Sequence, residues 1–278
     1  MTFSRRFAQV DVFTAVPLMG NPVAVVLDGE GLSTEQMQAM AAWTNLSETT
    51  FVQPPTQDGA DYRVRIFTPK AELPFAGHPT LGTAHAVIEA GIAKPREGRL
   101  VQECAVGLVE LTVGADRLSF RLPRYALTEL NDPEATGWIN APVKGAAQAV
   151  DVGPVWLVAE VDGIAALEDL AHDEARLAAY YVPKGWTGAT LYAAEGDRVV
   201  VRSFAPGDGI PEDPVCGSGN GAAAAFRLAA GQVSSGDSYR ASQGRQVGRD
   251  GWIDVRFEGA EIHIGGQCVT VITGTASI

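Results

Sequence analysis

Two glycine-rich turns of this 278-residue chain hold side chains that could do chemistry. The first contains Gly77 and His78, and the second contains Cys216, Gly217 and Ser218. Each turn opens an apolar helix, whose first N–H groups lack intrahelical partners and therefore favour an anion. Glycine also lets a ligand approach the backbone closely. The turns suit a small substrate that carries a carboxylate, and glycines that only permit tight turns into core helices are the simpler alternative.

The two turns belong to a repeat at about half the chain length. Glu72–Gly91 matches Glu212–Gly231 at an offset of 140 residues, with six identical positions. The same offset pairs Val10–Val12 with Val150–Val152, far from the first match. Self-similarity at a fixed offset indicates a duplicated unit. The sequence therefore predicts two similar lobes.

Two acidic residues break this repeat. Glu48 follows an amphipathic helix and opens an apolar strand, where a carboxylate can be partly desolvated, and its counterpart is Gly188. Asp213 has Leu73 as its counterpart. An acid that is present in only one lobe of a duplicated scaffold indicates function. The commoner alternative is that Glu48 is an ordinary surface glutamate at the start of a strand, without a function in catalysis.

Cys216 and His78 complete the set of candidate residues. Cys216 adjoins a helix start, where the pKa of a thiol falls. Its counterpart is Ala76, so a racemase with one cysteine per lobe is excluded. A small buried residue is the slightly favoured interpretation of Cys216. His78 lies opposite Ser218, and a neutral imidazole there could donate to a substrate carboxylate or orient an acid.

The elements that must position these residues follow the same order in both halves. Amphipathic helices are predicted at 34–44 and 174–182, and apolar helices at about 78–90 and 218–230. Strands precede and follow each apolar helix. A helix without a polar face must be buried on every side. This pattern predicts an α+β fold in which each lobe is a barrel-like, mostly antiparallel sheet around a central apolar helix.

The domain boundaries follow from the same pattern. The opening strand of the second half is predicted at 149–158, and the segment 123–144, which contains Asn131, is the predicted linker. The N-terminal lobe is predicted to span residues 1–128, with the C-terminal strand as a candidate addition. The C-terminal lobe spans 129–278, and the active-site cleft is expected between the two lobes.

The composition excludes several classes of function. The chain has 21 Lys and Arg against 33 Asp and Glu, a net charge of −12, and no basic run, so nucleic acid is excluded as a partner. No signal peptide and no membrane span is predicted. Three scattered cysteines and four scattered histidines form no disulfide framework and no metal-ligand pattern. We expect a cytoplasmic protein without a bound metal.

Five motifs together resemble the phenazine-biosynthesis PhzF-like family, and these are VDVFT…GNPVAVVLD, NLSETTFV, RIFTP…LPFAGHPTLGTAH, EDPVCGSGNGAAAAF and SQGRQVGRDGWIDV…GG. The resemblance runs from about Phe7 to Gly274. It implies a diaminopimelate-epimerase-like fold with two pseudo-symmetric lobes, a homodimer, and an isomerase that needs no cofactor.

The resemblance also implies roles for individual residues. Glu48 takes the place of the general acid/base of the family. His78, Asp213 and Ser218 take the places of residues that surround the substrate. Cys216 stands where the phenazine enzyme has threonine and where related epimerases have a catalytic cysteine.

The sequence therefore predicts a biosynthetic isomerase that moves a proton on a small carboxylic acid, with Glu48 as general acid/base. His78 and Asp213 would hold the substrate, and the amides at Gly77, Gly217 and Ser218 would stabilise a charged intermediate. One alternative is a two-base epimerase or dehydratase that uses Glu48 and Cys216. The other alternative is a non-catalytic protein that binds a small carboxylate.

Overall fold

The computed structural model describes residues 3–130 and 132–278, so Met1, Thr2 and the predicted linker residue Asn131 lie outside the described residues. The fold is mixed α/β, mostly sheet with few helices. Within the described residues, no helix is long and apolar enough to cross a membrane. The helices are α1 (Thr34–Thr44), α2 (Gly77–Glu89), α3 (Ile164–Glu168), α4 (Glu174–Tyr181) and α5 (Gly217–Ala229).

The strands are numbered in chain order. Those of the first half are β1 (Ser4–Val12), β2 (Asn21–Val26), β3 (Thr49–Gln53), β4 (Tyr62–Phe67), β5 (Glu72–Leu73), β6 (Arg99–Cys104), β7 (Gly107–Val113) and β8 (Leu118–Arg121). Those that follow are β9 (Ala126–Glu129), β10 (Val143–Asp151), β11 (Val155–Val161), β12 (Gly188–Glu195), β13 (Arg198–Ala205), β14 (Ile210–Asp213), β15 (Ser238–Gln243), β16 (Gly251–Glu258), β17 (Glu261–Gly266) and β18 (Cys268–Ser277).

The chain divides into two compact units. The first contains Met1–Phe120 together with Gly265–Ile278, and the second contains Arg121–Ile264. The C-terminal strand β18 belongs to the first unit because it pairs antiparallel with β1 along the whole length of β1. The cleft predicted to carry the active site stays a prediction.

Strand pairing in the first unit is mostly antiparallel. β1 pairs antiparallel with β2, and β2 pairs parallel with β3. β4 then pairs antiparallel with β3 and with the short β5, and parallel with β6. β6 and β7 form an antiparallel hairpin that β8 extends. The parallel β4–β6 pair requires a crossover, and α2 lies within it.

Strand pairing in the second unit follows the same order. β10 pairs antiparallel with β9 and β11, and β11 pairs parallel with β12. β13 pairs antiparallel with β12 and β14, and parallel with β15. β15 and β16 form an antiparallel hairpin. Here α5 lies in the crossover between β13 and β15.

The two apolar helices are buried along most of their length. In α2 the buried run extends from His78 to Ala84, and the helix packs against β1, β2, β3, β6 and β18. In α5 the buried run extends from Gly219 to Arg227, and the helix packs against β9, β10, β11, β12 and β16. Each helix is therefore in contact with strands that precede it and strands that follow it in the chain.

Local signals explain where the helices begin and end. Ser33 and Gln36 form a capping box at the start of α1, and Asp173 caps α4 by accepting the N–H of Arg176. After α2 and α5, Gly91 and Gly231 adopt positive φ angles of 67° and 70°. Glycine adopts this conformation at no steric cost, so it ends a helix readily.

Two predictions about the start of the second half were wrong. The predicted strand 149–158 is two antiparallel strands, because Gly153 has a φ of 106° and the chain turns there before Pro154. The carboxylate of Asp151 accepts the Gly153 N–H and stabilises this turn. The predicted linker 123–144 is also not an irregular connection, since it contains strand β9, which pairs with β10.

Gly82 of α2 offers a test of packing in the first unit. A Cβ atom at Gly82 would lie 2.4 Å from Cγ1 of Val23 and 2.9 Å from Cγ2 of Val12, on stiff β-branched side chains. At Gly221 of α5 the nearest atom is 3.2 Å away, at the end of the flexible Leu122 side chain. Gly82→Ala should lower the free energy of unfolding in urea by about 1–2 kcal/mol, because overpacking outweighs the gain in helix propensity.

Gly221→Ala is the matched control, and it should leave the free energy of unfolding unchanged or raise it by up to about 1 kcal/mol. Equal effects of the two substitutions would contradict the packing described for α2.

Candidate active site

Glu48 lies on the short segment that joins α1 to β3. α1 ends at Thr44, and its C-cap Asn45 adopts the left-handed conformation with φ 53° and turns the chain. The carbonyl of Glu48 accepts the N–H of Ala24 at 3.4 Å and so attaches the segment to β2. Glu48 is thereby held at the N-terminal end of β3, and 15% of its side chain is exposed. It is close to solvent, yet its backbone is fixed by the sheet.

His78 is the second residue of α2, and the structure brings it to Glu48. Nδ1 of His78 lies 3.4 Å from Oε2 of Glu48, and the imidazole is 7% exposed. Burial lowers the pKa of His78 to about 4, and the hydrogen bond to the Pro22 carbonyl offsets this only in part. The ring is therefore neutral at pH 7, so its contact with Glu48 is not an ion pair. A neutral imidazole can donate one hydrogen bond and accept another.

Gly77 precedes His78 and is required by packing. A Cβ atom at this position would lie 2.7 Å from the ring of Phe120. Ala76, which caps α2, contributes no side-chain hydrogen bond to the first turn. The third residue of α2, Pro79, has no N–H, and the N–H of Thr80 bonds to the carbonyl of Ala76 at 3.2 Å. The amides of Gly77 and His78 are therefore the candidates at this helix start, and anion binding there stays a prediction.

In the second unit, Asp213 ends the short strand β14 and is buried. Its Oδ1 accepts the N–H of Val215 at 3.0 Å. Burial raises the pKa of Asp213 to about 7, with smaller upward contributions from the charges of Asp208 and Glu212. The Val215 amide and the Cys216 side chain oppose this rise. Near neutral pH both protonation states of Asp213 are populated, as proton transfer requires.

Cys216 is the N-cap of α5. Its Sγ accepts the N–H of Gly219 at 3.2 Å and lies 3.5 Å from Oγ of Ser218. Gly219 must be glycine, because a Cβ atom there would lie 2.5 Å from the hydroxyls of Thr190 and Ser203. The buried sulfur therefore has a structural role at the helix start, and the structure places Asp213, Cys216, Gly217 and Ser218 on one continuous turn.

A buried glutamine that the sequence analysis did not single out braces this turn. Oε1 of Gln243 accepts the N–H of Cys216 at 3.2 Å and Nδ2 of Asn220 at 2.8 Å. Its Nε2 donates to the carbonyl of Asp213 at 2.9 Å. Gln243 lies in the SQG motif, but the sequence alone does not show that a single polar residue in a strand of alternating pattern is buried. Its role becomes visible only when β15 is placed beside the turn.

The first unit contains a similar brace. Nε2 of Gln102 in β6 donates to Oγ1 of Thr80 at 3.0 Å, and the Tyr62 hydroxyl donates to Oε1 of Gln102 at 3.0 Å. Thr80 is the fourth residue of α2, as Asn220 is of α5. In each unit a buried glutamine from the strand after the helix therefore fixes the first turn of that helix.

Among the residues that the structure describes, no group of three potential metal ligands lies at Glu48, His78, Asp213 or Cys216. In the part of the chain that the structure describes, one group of three such side chains occurs, at Glu258, Glu261 and His263. Arg256 pairs with Glu258, and Arg121 pairs with Glu261 at 2.6 Å. The two carboxylates of that group are thus already neutralised by arginine.

Comparison with known proteins gives a family and several relatives. The family model described as phenazine biosynthesis-like protein matches residues 10–274. The chain is 38% identical to antisense-enhancing sequence 1 of Schizosaccharomyces pombe, over 98% of each chain. It is 36% identical to trans-2,3-dihydro-3-hydroxyanthranilate isomerase of Pseudomonas aeruginosa, over 92% of this chain and 91% of the relative.

A solved structure shares the fold. The phenazine biosynthesis protein of the PhzF family from Bacillus anthracis superposes with a TM-score of 0.87 at 22% identity, over 99% of this chain and 100% of the other. At this identity the likeness shows the fold.

The raised pKa of Asp213 predicts a pH-dependent stability. A carboxyl whose pKa is higher in the folded state than in the unfolded state stabilises the fold fully below the unfolded pKa, and this contribution is lost as pH rises through about 7. Asp213→Asn has no carboxyl to ionise. Between about pH 4 and about pH 8.5, the free energy of unfolding of Asp213→Asn should therefore rise relative to that of wild type. The expected rise is on the order of 1.4 kcal/mol for each unit by which folding raises the pKa of Asp213.

Urea denaturation at the two pH values measures this difference. Asp250→Asn, at a half-exposed aspartate that pairs with Arg245, is the control and should give no comparable change. A constant difference between wild type and Asp213→Asn at both pH values would contradict the burial of an ionisable carboxyl at this position.

Proposed function

The chain belongs to the phenazine biosynthesis-like protein family, and from that premise we propose that it is a cofactor-independent isomerase that moves a proton on a small carboxylic acid. Glu48 is the proposed general acid/base. The observation that carries the proposal is the 3.4 Å approach of a neutral, buried His78 to the carboxylate of Glu48. A proton-transferring carboxylate needs a neighbour that orients it without neutralising its charge, and a neutral imidazole is such a neighbour.

We also propose that each unit is a barrel-like sheet around a central helix, α2 in one unit and α5 in the other. The recurring order of strand pairs supports this proposal. In both units an antiparallel pair is followed by a parallel pair, two antiparallel pairs, a parallel crossover pair and a hairpin. The paired glutamine braces also support a duplicated, pseudo-symmetric origin.

In the proposed reaction, the carboxylate of Glu48 removes a proton from one carbon of the substrate. The electron pair of that C–H bond becomes part of a shifted double bond, and Glu48 then delivers the proton to another carbon. No redox change occurs, so no redox cofactor is needed. The same proton returns only when water is kept away from it, because solvent exchange would otherwise replace it.

The remaining residues bind and stabilise in this proposal. His78 and Asp213 hold the carboxylate and substituents of the substrate. Amides at Gly77, Gly217 and Ser218 stabilise the negative charge of the intermediate, as donors preorganised at helix starts do. Support for these roles comes from the buried helix starts and from the pKa of Asp213 near 7.

The two-base alternative assigns a second acid/base role to Cys216. One observation weighs against it, since the sulfur of Cys216 already accepts the N–H of Gly219 as a helix cap. The non-catalytic alternative assigns the protein only the binding of a carboxylate. A binding protein of that kind has no need of a second carboxylate, Glu48, beside its histidine, and the family relatives named as isomerases favour an enzyme.

Replacement of Glu48 tests the proposal. Glu48→Gln keeps the size and hydrogen-bonding capacity of the side chain but cannot carry a proton. Turnover should fall by at least ~10², the usual scale of general acid–base catalysis. The assay uses a set of small carboxylic acids that includes trans-2,3-dihydro-3-hydroxyanthranilate, followed by NMR of the product.

Glu35→Gln is the control, because Glu35 is an exposed glutamate in the first turn of α1. It should turn over like wild type. Near-normal turnover by Glu48→Gln would remove Glu48 from the mechanism.

Replacement of Cys216 separates the proposal from the two-base alternative. Threonine can cap a helix with its hydroxyl, so Cys216→Thr should keep both stability and near-normal turnover. Cys216→Ala should lose about 0.5–2 kcal/mol of unfolding free energy, the cost of a lost N-cap, with turnover retained. A loss of turnover by ~10² or more in both variants would instead favour the two-base enzyme.

The resemblance leads us to propose a homodimer, and the three scattered cysteines lead us to propose a cytoplasmic location. Light scattering of the purified protein measures its mass directly. A mass equal to one chain at micromolar concentration would contradict the proposed dimer.

A further inference from the structure

Arg202 and Glu212 form a buried ion pair in the second unit. Nε of Arg202 donates to Oε1 of Glu212 at 2.9 Å, and its second terminal nitrogen donates to Oε2 at 2.8 Å. Both side chains are only 4% exposed. A buried charge is costly unless it is paired and hydrogen-bonded, so this two-point contact holds both side chains in one geometry.

The rest of the guanidinium group is also fixed. Its first terminal nitrogen donates to the carbonyls of Leu167 at 3.0 Å and Leu170 at 2.6 Å, at the end of α3 and just beyond it. The ring of Phe204 lies 5.1 Å below the guanidinium carbon, a distance typical of a cation–π contact. Arg202 therefore ties Glu212 to β13 and to the end of α3.

Glu212 directly precedes Asp213 on a short strand. β14 has four residues, and its pairing with β13 is irregular between Ser203 and Ala205. Ser203, the neighbour of Arg202, stands opposite Asp213 in this pairing. A short, irregular strand has few ladder hydrogen bonds of its own, so the ion pair is its strongest attachment.

We propose that the Arg202–Glu212 pair is a positioning device that holds the carboxyl of Asp213 in its buried place. This inference rests on the proposed function, in which Asp213 binds the substrate. Arg202 and Glu212 act through Asp213 and need not contact the substrate.

The first unit offers a matched control. Arg65 makes the same two-point contact with Glu72, at 2.7 Å for each hydrogen bond, and lies 5.1 Å from the ring of Phe67. The residue after Glu72 is Leu73, so no acid follows this pair. The side chains of Arg65 and Glu72 are 19% and 36% exposed. Breaking the Arg65–Glu72 pair removes the same kind of two-point contact at a place where the next residue is not an acid.

The test compares Arg202→Lys with Arg65→Lys. Lysine keeps the positive charge but cannot form the two-point contact, so the charges that act on Asp213 are unchanged. Those charges are Asp208 and Glu212, and the Cys216 side chain is a further titratable neighbour. The partner of Glu212 at position 202 stays a cation in this variant. The chemical shift of the Asp213 carboxyl carbon is followed by NMR as pH changes. Its signal is assigned by its loss in Asp213→Asn.

In Arg202→Lys the titration midpoint of Asp213 should fall by about one pKa unit or more, because a loosened β14 admits water to the carboxyl. Exchange of the Val215 amide, which donates to Asp213, should also accelerate by about tenfold or more relative to the global exchange rate. Arg65→Lys should change neither quantity. A folded Arg202→Lys protein with an unchanged midpoint and unchanged Val215 exchange would overturn the proposal.

A second variant covers the case in which Arg202→Lys does not fold. Arg202→Met/Glu212→Leu replaces the buried pair by apolar side chains, a change that is often neutral or stabilising. Val215 exchange should still accelerate in it, and an unchanged exchange rate would overturn the proposal. Neither readout uses turnover, so failure of the Glu48 assignment and failure of this inference are distinguished.

Discussion

The cost of burying charge is the constraint on which the two proposed substrate-binding residues, His78 and Asp213, depend. His78 and Asp213 lie where water is largely excluded, and burial moves the pKa of each toward the neutral form. The histidine is thereby neutral at pH 7, while the aspartic acid is close to its midpoint. A neutral imidazole can both donate and accept a hydrogen bond, and a carboxyl near its pKa can take up or release a proton. A group that stays charged at pH 7 does neither as easily. The local structure around both residues serves to keep them in these surroundings.

The helix starts supply that local structure. Both α2 and α5 are too apolar to expose a face, so their first turns are carried into the protein interior with the residues that precede them. Unpaired first-turn amides would be costly there. Gln243 solves part of this problem at α5, because its Oε1 accepts the backbone N–H of Cys216. Gln102 instead fixes the start of α2 through the hydroxyl of Thr80. The same bonds fix the geometry of the two helix starts.

Sequence patterns predicted the parts of this structure that depend on residues close together in the chain. The bounds of α1, α2, α4 and α5 were predicted within one or two residues, because capping side chains and glycines lie next to the ends they define. Glu48, His78 and Asp213 were selected as candidates from their residue types and from the broken repeat. The 3.4 Å contact between Glu48 and His78 could not be predicted, since it depends on how α2 packs beneath β2 and β3. Gln243 and Arg202 were missed for the same reason, because their partners lie 23 and 10 residues away and become neighbours only through the sheet.

The most direct measurement of the central claim is the fate of the substrate proton. Wild type and Glu48→Gln are incubated in D₂O with the small carboxylic acid that wild type converts, and the deuterium at each carbon of substrate and product is measured by NMR. The account predicts that wild type moves a proton between two carbons and gives sub-stoichiometric deuterium at the new C–H bond, because Glu48 returns part of the original proton. It predicts no such transfer in Glu48→Gln. Equal proton transfer by both proteins would contradict the assignment of Glu48 as the acid/base.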